Sequence, residues 1–123
     1  MRQLLLIDDD DAIREITTRY LKRAGFEVVG AADAAEAASQ LKTRFFDLAI
    51  VDIMLPDGNG LDIARKAISD FGLPVIMMTA LGGIGEKSAA FRLGSDDYIV
   101  KPFDPNELVL RVEAVLKRVA ESA

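Results

Sequence analysis

Four places in this 123-residue chain set a reactive side chain directly behind a short apolar run. Asp8 and Asp9 follow Leu4-Leu5-Leu6-Ile7, and Asp52 follows Leu48-Ala49-Ile50-Val51. Thr79 follows Val75-Ile76-Met77-Met78, and Lys101 follows Tyr98-Ile99-Val100. Taken alone, Asp52, with Pro56 and Gly58 close behind it, is as readily the residue that opens a loop as a carboxylate with a task. Taken together, the five side chains would be three carboxylates, a hydroxyl and an ammonium at equivalent positions. Three carboxylates about 5 Å apart repel by roughly 3 kcal/mol per pair at an effective dielectric near 20, so such a cluster needs a cation or a proton. Hard oxygen ligands, with no His or Cys in the chain, favour Mg²⁺ over zinc. A metal held by few protein oxygens keeps positions open for phosphate, and Thr79 and Lys101 could hold phosphoryl oxygens the metal does not reach. That is a constellation for phosphoryl transfer onto an aspartate.

For these groups to meet, the apolar runs must be strands of one parallel sheet. Short continuous apolar runs bounded by turn signals read as buried strands. The expected strands are β1 over 4–7, β2 over 26–31, β3 over 47–51, β4 over 75–78 and β5 over 98–100. Between them the apolar spacing turns helical. Ile13, Ile16, Thr17, Tyr20, Leu21 and Ala24 mark α1, closed by Gly25. Asp33-Ala34-Ala35-Glu36 is a capping box that opens α2, which runs to about residue 44. Helix α3 spans 60–70, with Leu61, Ala64 and Ile68 on one face. A shorter α4 runs to about residue 93 and stops at Gly94. Asp104-Pro105-Asn106-Glu107 starts α5, which Leu108, Val112, Val115, Leu116 and Val119 carry to the end. Asp10 and Asp11 are expected only to favour the N-terminus of α1. Strands alternating with helices imply a parallel sheet covered on both faces. In such sheets ligands gather at the carboxyl edge, where all five reactive side chains would lie.

Composition narrows the class. One domain spanning 1–123 is expected at this length, with enough chain for a real core. Zero His and zero Cys remove Ser/His and Cys/His catalysis, the usual zinc ligands and any disulfide framework. A net charge of −5 argues against a dedicated nucleic-acid surface. The four apolar residues at 4–7 are too few for a signal peptide or a membrane span, so a cytoplasmic location is expected.

With Asp8-Asp9 after β1, Asp52 followed by Met54-Leu55-Pro56 and Gly58, Thr79-Ala80 after β4, and Asp97-Tyr98-Ile99-Val100-Lys101-Pro102-Phe103 at β5, the chain resembles a response-regulator receiver domain of bacterial two-component systems. The resemblance covers essentially the whole chain. It implies an α/β, flavodoxin-like (βα)5 fold, with a five-stranded parallel sheet in the order 2-1-3-4-5 and helices on both faces. It implies a phosphorylation-dependent switch, a regulatory domain that catalyses only its own phosphorylation and dephosphorylation. Asp52 would be the phosphoacceptor, supplied by a sensor histidine kinase or a phosphotransfer protein. Mg²⁺ would be held by Asp9, Asp52 and the Met54 backbone carbonyl, with Asp8 acting through water. Thr79 and Lys101 would take phosphoryl oxygens, Tyr98 would be the switch aromatic, and Lys101-Pro102 would be the position of a cis bond.

The segment around Asp96-Asp97-Tyr98 and residues 107–112 is most like the OmpR/PhoB type. Receivers of that type dimerise through α4, β5 and α5, with intermolecular pairs at positions matching Lys87 with Glu107 and Asp97 with Arg111. Three features depart from the pattern. Gly82, Gly83 and Gly85 loosen the loop after β4, Ser95 stands where Ala is usual, and Arg92 reverses an acidic α4 position of the dimer face. Any contact with nucleic acid would come from an output domain outside this chain. Two other classes fit less well. A phosphatase with a strand-end Asp wants a second Asp two residues on, where this chain has Met54. A nucleotide- or flavin-binding module wants a phosphate-cradling loop after β1, where four aspartates would repel phosphate.

Overall fold

In the computed structural model, residues 1–80, 92 and 94–122 are described. Five parallel strands form the sheet: β1 Gln3–Ile7, β2 Glu27–Ala31, β3 Leu48–Asp52, β4 Val75–Thr79 and β5 Asp97–Val100. Their order is β2-β1-β3-β4-β5, the flavodoxin-like arrangement. Among the described residues, four helices connect or follow them: α1 Asp11–Arg23, α2 Ala34–Thr43, α3 Gly60–Phe71 and α5 Pro105–Ser122. The expected α4 lies outside the described residues except for Arg92, which is helical and exposed. Lys87 and the glycines at 82, 83 and 85 lie outside them too.

The strands read as unbroken apolar runs because both faces are covered. Leu5, Ile7, Ala49, Val51, Val75 and Met77 point to α2 and α3, meeting Ala37, Leu41, Ile63, Ala64 and Ala67. Leu4, Leu6, Leu48, Ile50, Ile76 and Met78 point the other way, to Leu21 of α1 and to Leu108, Val112, Val115 and Leu116 of α5. Leu48 and Ile50 are fully buried, and each such side chain stabilises the fold by roughly 1.5–3 kcal/mol relative to exposure.

The helix starts follow the acidic residues. Asp10 caps α1 by accepting the Ile13 N–H at 3.0 Å, as the charge pattern suggested. Asp33 caps α2 through the Glu36 N–H at 2.7 Å. Asp104 accepts the Asn106 N–H at 2.9 Å in front of Pro105. One element was not expected. Directly after β3, Met54–Leu55 pairs antiparallel with Gly58–Asn59 as a small hairpin. Strands of two residues carry no periodicity to read. The Lys101-Pro102 bond is cis.

Candidate functional site

The strand ends bring the reactive side chains to one edge. Asp52 closes β3 and Thr79 closes β4, while Asp8 and Lys101 stand one residue beyond β1 and β5. Strand β3 runs one residue further than its apolar run implied, because Asp52 is still in register with Met78. Backbone bonds fix the exits to one another. The Asp8 N–H donates to Ala31 O at 3.0 Å, Ile53 N–H to Met78 O at 2.9 Å, and Lys101 N–H to Thr79 O at 2.7 Å.

One oxygen from each of Asp8, Asp9 and Asp52 lies within 4.8 Å of the other two. Asp8 is 0 % exposed, Asp52 is 5 % exposed, and Thr79 is fully buried beside them. Asp9 faces solvent. The Lys101 ammonium sits between the two buried carboxylates, 2.7 Å from Oδ2 of Asp8 and 2.7 Å from Oδ2 of Asp52. It donates a hydrogen bond to Asp52. Its contact with Asp8 is an equally short ion pair, and the ammonium is what faces the buried Asp8 Oδ2. The remaining oxygens are held by loop amides: Asp8 Oδ1 by the Asp10 N–H at 3.0 Å, Asp52 Oδ1 by the Met54 N–H at 3.1 Å.

These surroundings shift two ionisations. Burial pushes the Asp8 carboxyl above its ordinary value, and Lys101 and the Asp10 amide offset that only in part. Burial alone would lower the Lys101 ammonium, but Asp52 and Asp8 outweigh it and the net shift is upward. Lys101 is therefore charged at neutral pH. The donor set fits a hard divalent cation: three carboxylates in reach of one another, and no His or Cys in the chain to favour a softer metal.

Other expected residues fall as follows. Tyr98 is buried, 7 % exposed, in the core cluster on the α2–α3 side of the sheet. Arg111 meets both Asp97, at 2.9 Å, and Glu107, at 3.0 Å, within the same chain.

Three residues near the site escaped the sequence reading. The Arg14 guanidinium donates to the Asp8 backbone carbonyl at 2.7 Å and to Asp11 at 2.6 Å, bracing the acidic loop. Gly60 lies so close to the Asp52 backbone that a Cβ there would collide with its carbonyl. Asp57, at the hairpin turn, accepts two N–H bonds from the start of α2. Gly60 read as a helix start and Asp57 stood between the turn residues Pro56 and Gly58, which hid their contacts, and no local signal marks Arg14.

Fold and site together agree with the comparison to known proteins. Residues 4–113 match the response regulator receiver domain family, and the chain belongs to that family. It works in phosphorylation-dependent signalling of the two-component type. The chain is 41% identical over 118 residues to the heme response regulator HssR of Staphylococcus saprophyticus, covering 96% of this chain and 53% of that protein. It thus spans about half the length of the curated relatives it matches. Among solved structures it superposes with a TM-score of 0.95 on a CheY-like receiver domain protein from Methanospirillum hungatei, at 32% identity, covering 100% of this chain and 99% of that one. It also matches DrrB, described as a Thermotoga maritima OmpR/PhoB homolog, with a TM-score of 0.88 at 29% identity, covering 96% of this chain and 54% of that one. Among the described residues no helix is long and apolar enough to cross a membrane.

Proposed function

We propose that Asp52 is the phosphoacceptor of a single receiver domain spanning 1–123. The observation that carries this reading is the pairing of Asp52 Oδ2 with Lys101 Nζ at 2.7 Å, beside Asp8 and Asp9 and at the end of β3. The donor is a phosphohistidine of a sensor kinase or phosphotransfer protein. An Asp52 carboxylate oxygen attacks phosphorus, the P–N bond breaks, and the imidazole leaves with the electron pair and takes a proton. Asp52 then carries an acyl phosphate, which water later hydrolyses, so the domain catalyses only its own phosphorylation and dephosphorylation.

Mg²⁺ would be held by Asp9, Asp52 and the Met54 carbonyl, with Asp8 acting through water. When bound it neutralises charge that develops on the transferred group. Lys101 pairs with one phosphoryl oxygen and Thr79 donates its hydroxyl to another. Thr79 then couples to Tyr98, and the face formed by α4, β5 and α5 changes.

The likeness to DrrB, described as an OmpR/PhoB homolog, supports that type; by the family resemblance, a homodimer through that face would use Lys87, Asp97, Glu107 and Arg111 as its charged residues. Asp97 and Glu107 already meet Arg111 within one chain, so such a dimer would have to exchange these partners. Arg92 reverses one charge of that face. The location is the cytoplasm, and nucleic acid is reached only through an output domain outside this chain.

Incubation with acetyl phosphate and Mg²⁺ should add one phosphoryl mass, labile to hydroxylamine, and Asp52→Asn should add none. Equal labelling of Asp52→Asn would overturn the reading.

A further inference from the structure

The hairpin after β3 carries the residues that follow Asp52. Two-residue strands do not hold themselves together in water, so their surroundings must place them. One end is fixed at the sheet. The Gly60 N–H donates to Ile53 O at 2.6 Å, and Gly60 rests against the Asp52 carbonyl. The other end is the turn, and there Asp57 reaches across to a different element. Its Oδ1 accepts the Ala34 N–H at 2.8 Å and its Oδ2 accepts the Ala35 N–H at 3.0 Å.

These two amides are the first of α2 and have no partner inside their own helix. The third, at Glu36, is taken by Asp33 from the loop before α2. Two aspartates from two loops therefore share one helix start, and only one of them belongs to the hairpin. The amides hold the Asp57 carboxyl below its ordinary value, as a carboxylate that accepts two N–H bonds should be. The loop before α2 leaves β2 at Ala31, the last strand residue, whose carbonyl accepts the Asp8 N–H. Asp57 thus joins the loop behind Asp52 to the loop that borders Asp8.

We propose that Asp57 is a positioning residue for the metal and phosphoryl site: its grip on the start of α2 sets where the hairpin, and with it the Met54 carbonyl, stands relative to Asp8, Asp9 and Asp52. This rests on the reading of Asp52 and Mg²⁺ given above. Asp57 touches neither the ion nor the phosphoryl group. It limits how far the loop can swing, as outer residues do around a metal.

The test separates this role from plain helix capping. Mg²⁺ is titrated into the protein while the Asp9 and Met54 amide resonances are followed, and melting temperature is measured without metal. Asp57→Ala should weaken Mg²⁺ binding about tenfold, with Asp57→Asn in between because an NH2 group replaces one of the two accepting oxygens. Asp33→Ala removes a cap from the same helix and should lower the melting temperature similarly, yet leave Mg²⁺ affinity within about twofold. Unchanged affinity in Asp57→Ala, or equal loss in Asp33→Ala, would overturn the proposal. Asp52→Asn is the control for the underlying reading. If it does not weaken Mg²⁺ binding, the site itself is misplaced; if it does and Asp57→Ala does not, only the role of Asp57 falls.

Discussion

Lys101→Met should leave the two buried carboxylates without a counter-charge. In the wild type the ammonium is 2.7 Å from each of them, and the side chains of Lys101, Asp8 and Asp52 are 13, 1 and 7 % exposed. Methionine keeps an unbranched, flexible stem and removes the charge. Two carboxylate oxygens within 4.8 Å repel by about 3 kcal/mol at an effective dielectric near 20. Taking one partner from a buried ion pair costs about 3–5 kcal/mol, a range that includes such repulsion. The metal-free variant should therefore lose about 3 kcal/mol at neutral pH, a fall in Tm of about 10 °C for a domain of this size.

The loss should carry a pH signature. Asp8 is shifted upward by burial, so the folded chain holds that proton more tightly than the unfolded one. Its ionisation costs stability as pH rises from the ordinary carboxylate value through the raised one. Removing Lys101 raises it further. Above that window both carboxylates are charged and the deficit is full; below it Asp8 is neutral and the deficit shrinks. Urea denaturation of both proteins from about pH 4 to about pH 8, with and without Mg²⁺, measures this. Mg²⁺ should restore part of the loss. A variant as stable as wild type at neutral pH without metal, or a deficit that ignores both pH and Mg²⁺, refutes the compensation by Lys101.

Asp9→Ala should slow labelling by acetyl phosphate far more than Asp10→Ala, since Asp10 caps α1; equal rates for the two would count against Asp9 as a ligand. Gly60→Ala should destabilise the fold by about 1–3 kcal/mol, because the added Cβ meets the Asp52 carbonyl and the backbone must shift; thermal melts check this, and an unchanged Tm would show that the hairpin yields freely. Thr79→Ala should still bind beryllofluoride with Mg²⁺ but show a smaller change in Tyr98 fluorescence and association. A wild-type response in both signals would break the proposed link between Thr79 and Tyr98.

The positions of Asp8, Asp52, Thr79 and Lys101 were legible because each ends an apolar run, and a parallel sheet turns that rule into one shared edge. Their pairing was not. Lys101 lies between Asp8 and Asp52 because of how far its stem reaches across neighbouring strand ends, and no spacing in the sequence encodes that. The last residue of β3 was missed because strand pairing at Asp52 outlasts the apolar pattern. Asp57 looked like a turn residue, and locally it is one. Its grip on α2 joins residues 22 and 23 apart in the chain, and depends on the hairpin turn lying beside the start of that helix. Gly60 satisfied the expectation of a helix start, so its close approach to Asp52 left no further trace. Arg111 was expected to face a second chain; within its own chain it reaches Glu107 one helical turn away and Asp97 across on β5.

The arrangement makes Lys101 a shared resource, and this bears on how the proposed switch would work. A phosphoryl group on Asp52 adds about −1.5 to −2 charges and several strong acceptors. Those acceptors compete with Asp8 for the ammonium. As Lys101 turns toward them, the Asp8 carboxylate loses the only cation it is paired with among the described residues, and its buried oxygen then depends more on a bound metal. Cation and phosphoryl group should therefore favour one another beyond their direct attraction. Tyr98 constrains the next step. The family resemblance implies a ring that moves when Thr79 is drawn to the phosphate, yet here the ring is already buried among the α2–α3 core. An inward swing from an exposed position is not the motion left to it from this arrangement. Phosphorylation would instead hold in place a packing the chain already reaches, which is a shift of populations, and its size is set by how much better the phosphoryl group binds to that packing than to the alternative.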